Sequence, residues 1–366
     1  MRTVLNLEKT DRSWLRAAIA VAAVGCGANQ FAPLLLLYQS RLGLSAATAE
    51  ATFGLYALGL MPALLIGGLL ADRHGRRTVL LPALVASALA GVLLIAGGTM
   101  PALLFVGRLI AGIASGAAFS SGAAWVKELA PEGTGARRLT IAMTAGFAAG
   151  PLIAGVLAQW APLPTVLPYL PQLALALIAI PLVSRTRETA TRQRRTGLRL
   201  PDPRFFRVIV PLAPWVFISA SIALAYLPGL VSHSLIFAAI AATLTALAGI
   251  AIQPLARRLD PKPLRHTALA IVVLGLLVAA FSTRPAVVIV AALILGAGYG
   301  ACQVCGLLEV QRLAAPAELA GLTAIYQAIS YLGFAAPVLL TFITPTTGLL
   351  IAAALAALTL LWTATT

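Results

Sequence analysis

The chain has 366 residues, 60% of them hydrophobic and 10% charged, with a formal net charge of +15. Soluble domains run about 45–50% apolar and about 25% charged, so this composition, with a mean hydropathy of +0.96, excludes a soluble globular protein and points to a polytopic membrane protein. The positive charge fits either nucleic-acid binding or basic loops retained on the cytoplasmic side of a membrane, and its distribution decides for the second.

A short charged segment, Arg2 to Arg16, precedes the first apolar run. No small-residue cleavage site follows a short apolar core, so the first helix is expected to remain as a signal anchor. A bilayer core needs about 20 apolar residues per spanning helix. Six runs in the first half meet this, at 15–37, 48–70, 78–97, 101–124, 138–160 and 163–183. Six follow in the second half, at 206–230, 233–256, 266–282, 285–308, 319–343 and 346–364. With the N-terminus cytoplasmic, only Arg41 and Arg284 fall in outside loops and Arg108 falls within a span. Every other Lys and Arg lies at the cytoplasmic side, so both termini are expected there, in a multi-pass protein of the cytoplasmic membrane.

The longest connection, Ser184 to Arg207, carries Arg185, Arg187, Arg192, Arg194, Arg195, Arg199, Arg204 and Arg207 against Glu188 and Asp202. It divides the chain into an N-terminal bundle (1–183), a basic linker (184–207) and a C-terminal bundle (208–366). The linker is expected to lie against anionic headgroups. Aromatic interleaving is limited to Phe205-Phe206, so no nucleic-acid partner is expected. A weak repeat supports the two halves, since Gly146-Phe147-Ala148-Ala149 is echoed by Gly333-Phe334-Ala335-Ala336. Cys302 and Cys305 form a C-x-x-C inside an apolar, Gly/Ala-rich run and read as small packing residues rather than a metal or redox pair.

Between the second and third spans stands Gly68-Leu69-Leu70-Ala71-Asp72-Arg73-His74-Gly75-Arg76-Arg77. A re-entrant turn needs small residues, a turn glycine and cytoplasmic cations. It does not need the acid, Asp72. The stretch resembles the loop-2–3 signature of the major facilitator superfamily, G-x-L-a-D-r-x-G-r-k. Gly68, Leu70, Ala71, Asp72, Arg73, Gly75 and Arg76 match, and Arg77 stands where Lys is usual. The resemblance implies a gate latch that stabilises the outward-open state. Asp72 would lie beside the start of the eleventh span, around Ala317–Ala320, and Arg76 would pair with Glu128 at the end of span four. The second half keeps Leu255, Ala256, Arg258 and Lys262 but has Arg257 at the acidic position and no glycines.

Span four contains Arg108-x-x-x-Gly112-x-x-x-Gly116. An arginine inside a membrane must face a cavity or a partner or snorkel to the interface, and both readings stand. The family carries an arginine here that is linked to proton movement, which makes Arg108 a coupling candidate. Span five contains Gly146-x-x-x-Gly150-Pro151-x-x-x-Gly155. It resembles the antiporter signature g-x-x-x-G-P-x-x-G-G, with Ala154 replacing a glycine, and the resemblance implies export coupled to proton entry. No acid falls in mid-membrane by these boundaries, with Glu50 placed at the outer start of span two. Cavity candidates are Asn29 with Gln30 in span one and Tyr326 with Gln327 in span eleven, because intramembrane amides need partners or water. His233 is placed at the outer start of span eight.

The resemblance implies an all-α integral membrane protein of twelve transmembrane helices in two pseudo-symmetric six-helix bundles. Its expected function is secondary active transport of a small molecule by alternating access, as proton-coupled efflux of the drug:proton antiporter type. It is expected to act as a monomer, with no metal and no cofactor beyond the proton gradient. Uptake of a sugar, organic acid or other nutrient is the alternative within transport. A non-transporting receptor or scaffold is disfavoured because no sizeable extramembrane domain exists. A membrane-embedded enzyme is disfavoured because no intramembrane Asp pair, His cluster or Ser–His arrangement suits hydrolysis.

Overall fold

In a computed structural model, residues 12–189, 203–231, 234–281, 284–315 and 318–365 are described. Most of the basic linker, His233 and Ala317 therefore lie outside the described residues. Among the described residues, twelve helices are long and apolar enough to cross a membrane: α1 (Ser13–Leu42), α2 (Ala46–His74), α3 (Arg76–Ala96), α4 (Ala102–Leu129), α5 (Gly135–Trp160), α6 (Leu167–Ser184), α7 (Phe205–Val231), α8 (Leu235–Ala256), α9 (Pro261–Ala280), α10 (Pro285–Leu313), α11 (Gly321–Leu340) and α12 (Pro345–Ala364). The described residues contain no strand. Large apolar side chains such as Leu58, Ile66, Leu177, Leu358 and Trp362 are exposed around the bundle, as on a lipid-facing surface. The end that carries the α2–α3 turn is called the latch end below, and the opposite end the far end.

Local chemistry sets the helix boundaries. Ser45 caps α2 by accepting from the Thr48 N–H at 3.1 Å, so α2 begins at Ala46 rather than at 48 and draws Glu50 into the helix body. α9 likewise begins at Pro261 rather than at 266, because proline is tolerated in a helix's first turn. α1 is interrupted by a 3-10 turn at Ala32–Leu34. Pro33 has no N–H to continue the ladder there.

Two apolar cores are present. One is built mainly from α1 to α6, and the other from α7 and α9 to α12. Between membrane helices the hydrophobic effect supplies little attraction, so packing depends on close backbone approach at small residues. Gly112 and Gly116 of α4 lie against the Tyr56 and Leu60 carbonyls of α2, closer than a Cβ would allow. Gly296 and Gly300 of α10 lie in the same way against the Thr245 and Gly249 carbonyls of α8. Gly146 meets the Ala22 carbonyl of α1, and Gly333 of α11 meets the Pro214 carbonyl of α7. The repeated sequence Gly146–Ala149 and Gly333–Ala336 therefore marks equivalent helix crossings in the two halves. Cys302 and Cys305 are buried and unpaired by disulfide.

Gly300→Ala is expected to destabilise the protein by about 1–3 kcal/mol, the cost of overpacking. Gly25→Ala, whose Cβ would meet the Phe147 ring at 3.5 Å and the Gly146 Cα at 3.7 Å, both ordinary contact distances, is expected to be near neutral. Thermal unfolding of the two variants in the same detergent checks the difference.

Candidate functional site

The latch begins with the turn. Gly75 has φ +106, a conformation that favours glycine, and its N–H donates to the Ala71 carbonyl at 3.1 Å. A Cβ on Gly75 would also meet the Glu188 carboxylate, at 2.6 Å. Glu188 occupies that space because α3 has no cap of its own. Glu188 Oε1 accepts from the Arg76 N–H and Oε2 from the Arg77 N–H, both at 2.9 Å. A carboxylate on the free N–H groups of a helix start is favourable in both charge and hydrogen bonding.

The Arg76 guanidinium then links two acids. Its Nη1 donates to Asp72 Oδ1 at 2.5 Å, its Nη2 to Glu128 Oε1 at 2.8 Å, and its Nε to the same oxygen at 3.2 Å. The Arg76 and Asp72 side chains are 12% and 15% exposed, so water screens this pair less than an ordinary surface pair. The start of the linker is strapped onto the cluster. Thr189 Oγ1 donates to Glu128 Oε2 at 2.5 Å, Trp125 Nε1 to the Arg187 carbonyl at 3.2 Å, and Arg77 Nη1 to the Ser184 carbonyl at 3.1 Å.

Three details differ from the sequence reading. Arg73 is exposed and makes no ion pair among the described residues. Gly68 is not the close-packed glycine, since a Cβ there would only touch Ser120 at 3.7 Å. Gly67 is, with Ala117 Cα at 2.9 Å from its would-be Cβ. Glu188 was read only as linker charge. It is the lone acid at the start of an arginine-rich run, facing a helix without a cap, and that combination was its available signal. α2 packs along α11, while Ala317, the expected neighbour of Asp72, is outside the described residues. The corresponding end of the second half is built differently. There Arg265 is 4% exposed, pairs with Glu309 at 3.5 Å and donates to the Thr363 carbonyl at 2.8 Å.

Arg108 is fully buried, so it does not snorkel. It lies about two turns from the far end of α4. Its Nη1 donates to the Ala28 carbonyl at 3.4 Å and its Nη2 to the Phe53 carbonyl at 3.2 Å. Ala28 is in the last turn before α1 breaks, where carbonyls lack helical partners. The guanidinium also faces the rings of Tyr56 at 4.5 Å, Phe31 at 4.7 Å and Phe53 at 5.6 Å. Its Nε has no partner. The arrangement is an aromatic cage with carbonyl ligands, which ties α1, α2 and α4 together without a carboxylate. In α10 the position with the same spacing to Gly296 and Gly300 is Ala292, so the cage belongs to one half only.

The two amide pairs separate. Asn29 is half-buried and its Nδ2 donates to the Phe147 carbonyl of α5 at 3.5 Å. Gln30 turns the other way, into a polar void of about 10 Å³ inside the first bundle, lined also by Ser87, Ser115 and Gln172. That is room for about one water, so Gln30 is not on the seam between the halves. Tyr326 is likewise not a cavity residue. It is fully buried in the second core, against Gly306, and its hydroxyl donates to the Cys302 carbonyl at 3.2 Å. Gln327 is half-buried with no hydrogen bond to another described residue. Successive helix residues point about 100° apart, which is why neither pair acts as one unit.

An aromatic cluster crosses the seam between the halves. Phe334 of α11 lies 5.2 Å from Phe53 and 6.1 Å from Tyr56 of α2 on one side, and 5.1 Å from Phe217 of α7 on the other. Phe217 stacks on Tyr331 at 4.2 Å and lies 5.7 Å from Tyr299 of α10. The span-five glycines divide between two partners. Gly146 and Gly150 hold the Ala22 and Cys26 carbonyls of α1, and Gly155 packs on Ala239 of α8 across the seam. Pro151 is buried between them. Gln159 Oε1 accepts from the Leu235 N–H at 3.0 Å, and Thr243 Oγ1 donates to the Ala148 carbonyl at 3.3 Å. These contacts close the far end of the seam.

Arg108→Lys is expected to lose one of the two carbonyl bonds and the planar stacking, at a cost of roughly 2–3 kcal/mol. The expected result is a lower unfolding midpoint in detergent, with insertion into the membrane retained.

The chain's relatives agree with this architecture. No curated protein matches the sequence. Among solved structures, a D-xylose-proton symporter is similar at TM-score 0.72 and 16% identity, covering 96% of this chain and 96% of that one. A variant of the nucleoside transporter NupG is similar at TM-score 0.72 and 13% identity, covering 95% of this chain and 98% of that one. At those identities the likeness establishes the fold. The family model described as Major Facilitator Superfamily matches residues 17–338, and with twelve helices in two bundles the chain belongs to that superfamily of membrane transporters, not to the enzymes.

Proposed function

We propose that this transporter exports a small amphiphilic molecule in exchange for protons, with the latch end and both termini on the cytoplasmic side of the cytoplasmic membrane. The observation that carries the reading is the divided glycine–proline face of α5. Gly146 and Gly150 lock α5 to α1 in its own half, while Gly155 meets α8 in the other. A helix with one smooth face shared between a fixed partner and a moving one is suited to the seam of a rocking transporter. Its sequence resembles the signature that accompanies antiport. The concentration of Lys and Arg at the latch end supports the orientation.

In this reading the halves rock about the aromatic cluster. Phe217, Tyr331 and Phe334 offer ring faces to a planar apolar cargo, with Asn29 and Gln327 as the candidate amide contacts. The latch works at the cytoplasmic end. Arg76, held by Asp72 and Glu128, fixes the α2–α3 turn against α4, and Glu188 fixes the start of α3. A turn held this firmly moves as one body with its bundle. Asp72 can then favour one arrangement of the halves over the other through its charge.

Two outcomes follow in proteoliposomes loaded with a candidate amphiphile. An imposed pH gradient is expected to drive the cargo out of the compartment that protons enter, and a protonophore is expected to stop it. Accumulation along with the proton flow would instead assign uptake. Asp72→Asn is expected to lower the flux by about tenfold or more with the amount of inserted protein unchanged, and wild-type flux in that variant would remove Asp72 from gating.

A further inference from the structure

A second buried acid belongs to the seam rather than to the latch. Glu50, at the outer start of span two, is 4% exposed, and its Oε2 is buried without any hydrogen-bond partner. The early start of α2 places it inside the helix, with Ala49 and Phe53, its fully buried neighbours, in the first core. The hydroxyls near it on α2 are already used, since Thr52 Oγ1 donates to the Thr48 carbonyl at 2.8 Å.

Its surroundings come from both halves. Tyr226 of α7 lies within electrostatic reach of the Glu50 carboxyl, and the Tyr226 hydroxyl donates to the Leu340 carbonyl of α11 at 3.4 Å. About one turn along α7 from Tyr226, Gly229 faces Leu36 of α1, 3.5 Å from where a Cβ would stand, and Gly54, one turn below Glu50, sits against the Phe334 carbonyl. Glu50 is therefore enclosed where α1, α2, α7 and α11 meet at the far end. Among the described residues no cation is placed to neutralise it. On α1, Arg41 is exposed and makes no ion pair, and the Tyr38 hydroxyl is bonded to the Tyr169 hydroxyl at 2.8 Å. On α4, Arg108 is committed to the Ala28 and Phe53 carbonyls. On α7 the titratable groups are Tyr226 and, at the latch end, Arg207; on α11 they are Tyr331, stacked on Phe217, and Tyr326, whose hydroxyl is committed to the Cys302 carbonyl. His233, in the α7–α8 connection, lies outside the described residues.

An ionised carboxylate so enclosed would be an uncompensated charge in a medium of low dielectric. A protonated one is merely a polar group short of a partner. Opening the seam between α1/α2 and α7/α11 would return the same carboxyl to water, where it ionises readily. We propose that Glu50 is a proton-binding site at the far-end gate, and that closing the far end of the transporter takes up a proton there. Closure and protonation are then linked equilibria, so each favours the other. This rests on the alternating-access reading above. It does not require the cargo to be exported or the transport to be proton-driven, so it can fail while that reading stands.

The test measures the gate directly in the full chain. Cys26, Cys302 and Cys305 are replaced by alanine and Leu36→Cys is introduced as a reporter inside the seam. The rate of labelling by a polar maleimide, corrected for the reagent's own pH dependence with an exposed Ser40→Cys reporter, is followed from about pH 5 to about pH 9. The expected result is a severalfold faster corrected rate at the alkaline end in the parent chain. Glu50→Gln is expected to give a slow rate at every pH, and Glu50→Ala a pH-independent one, so the prediction does not depend on a single substitution. His233→Gln is expected to keep the parent profile. A parent profile that is flat, a Glu50→Gln profile that follows the parent, or loss of the pH dependence in His233→Gln instead would each overturn the assignment.

Discussion

The structure depends on helices meeting through their backbones. In lipid an apolar side chain gains little by leaving its surroundings for another apolar side chain, so crossings are stabilised where glycine lets a carbonyl come within contact distance. The pairs Gly112/Tyr56, Gly116/Leu60, Gly296/Thr245 and Gly300/Gly249 fix α2 on α4 and α8 on α10. Gly146 and Gly333 do the same for α1 with α5 and α7 with α11. Polar groups are then affordable only where a carbonyl, an aromatic face or a counter-ion receives them. Arg108 illustrates the first two and Arg76 the third.

From that scaffold two asymmetries follow. The first bundle holds its cation in an aromatic cage, and its counterpart in the second bundle is Ala292. The first bundle also closes its latch-end turn with Asp72, Arg76, Glu128 and Glu188, whereas the second uses Arg265 to join α9, α10 and α12. The halves therefore share helix crossings but differ in the polar groups placed on them, since the second half ties the start of α9 to the end of α10 with Arg265–Glu309 and an exposed Arg312–Asp260 pair. A repeat built this way has one side that can carry switching charges and another that serves as its counter-surface. Glu50 continues the pattern, since it comes from the first half and is enclosed by the second.

The sequence made much of this readable, and the rest was hidden for identifiable reasons. Hydropathy and the positions of arginine were enough for twelve helices in two bundles, because lipid imposes helix length and backbone satisfaction so strictly. Residues 68–77 carried the family because a tight turn, a charge pair and a helix start compress into ten positions. What could not be read was direction around a helix axis. Gln30 turns into the first bundle while Asn29 faces α5, and Tyr326 enters the second core while Gln327 does not. Gly67 rather than Gly68 meets α4 for the same reason. Glu188 lies far along the chain from the turn it caps, and the burial of Glu50 at the outer start of span two follows from Ser45, the cap that starts α2 early.

In a transporter that rocks about this seam, closure at the far end and closure at the latch end alternate. The direct measurement is a pair of spin-label distances in the reconstituted protein, one at the far end between Arg41 and Thr344, and one at the latch end between His74 and Arg312, all four of them exposed. Conditions that lengthen the far-end distance are expected to shorten the latch-end distance, so that the two move in opposite senses between two populations. Distances that stay single-valued, or that lengthen and shorten together, would contradict it.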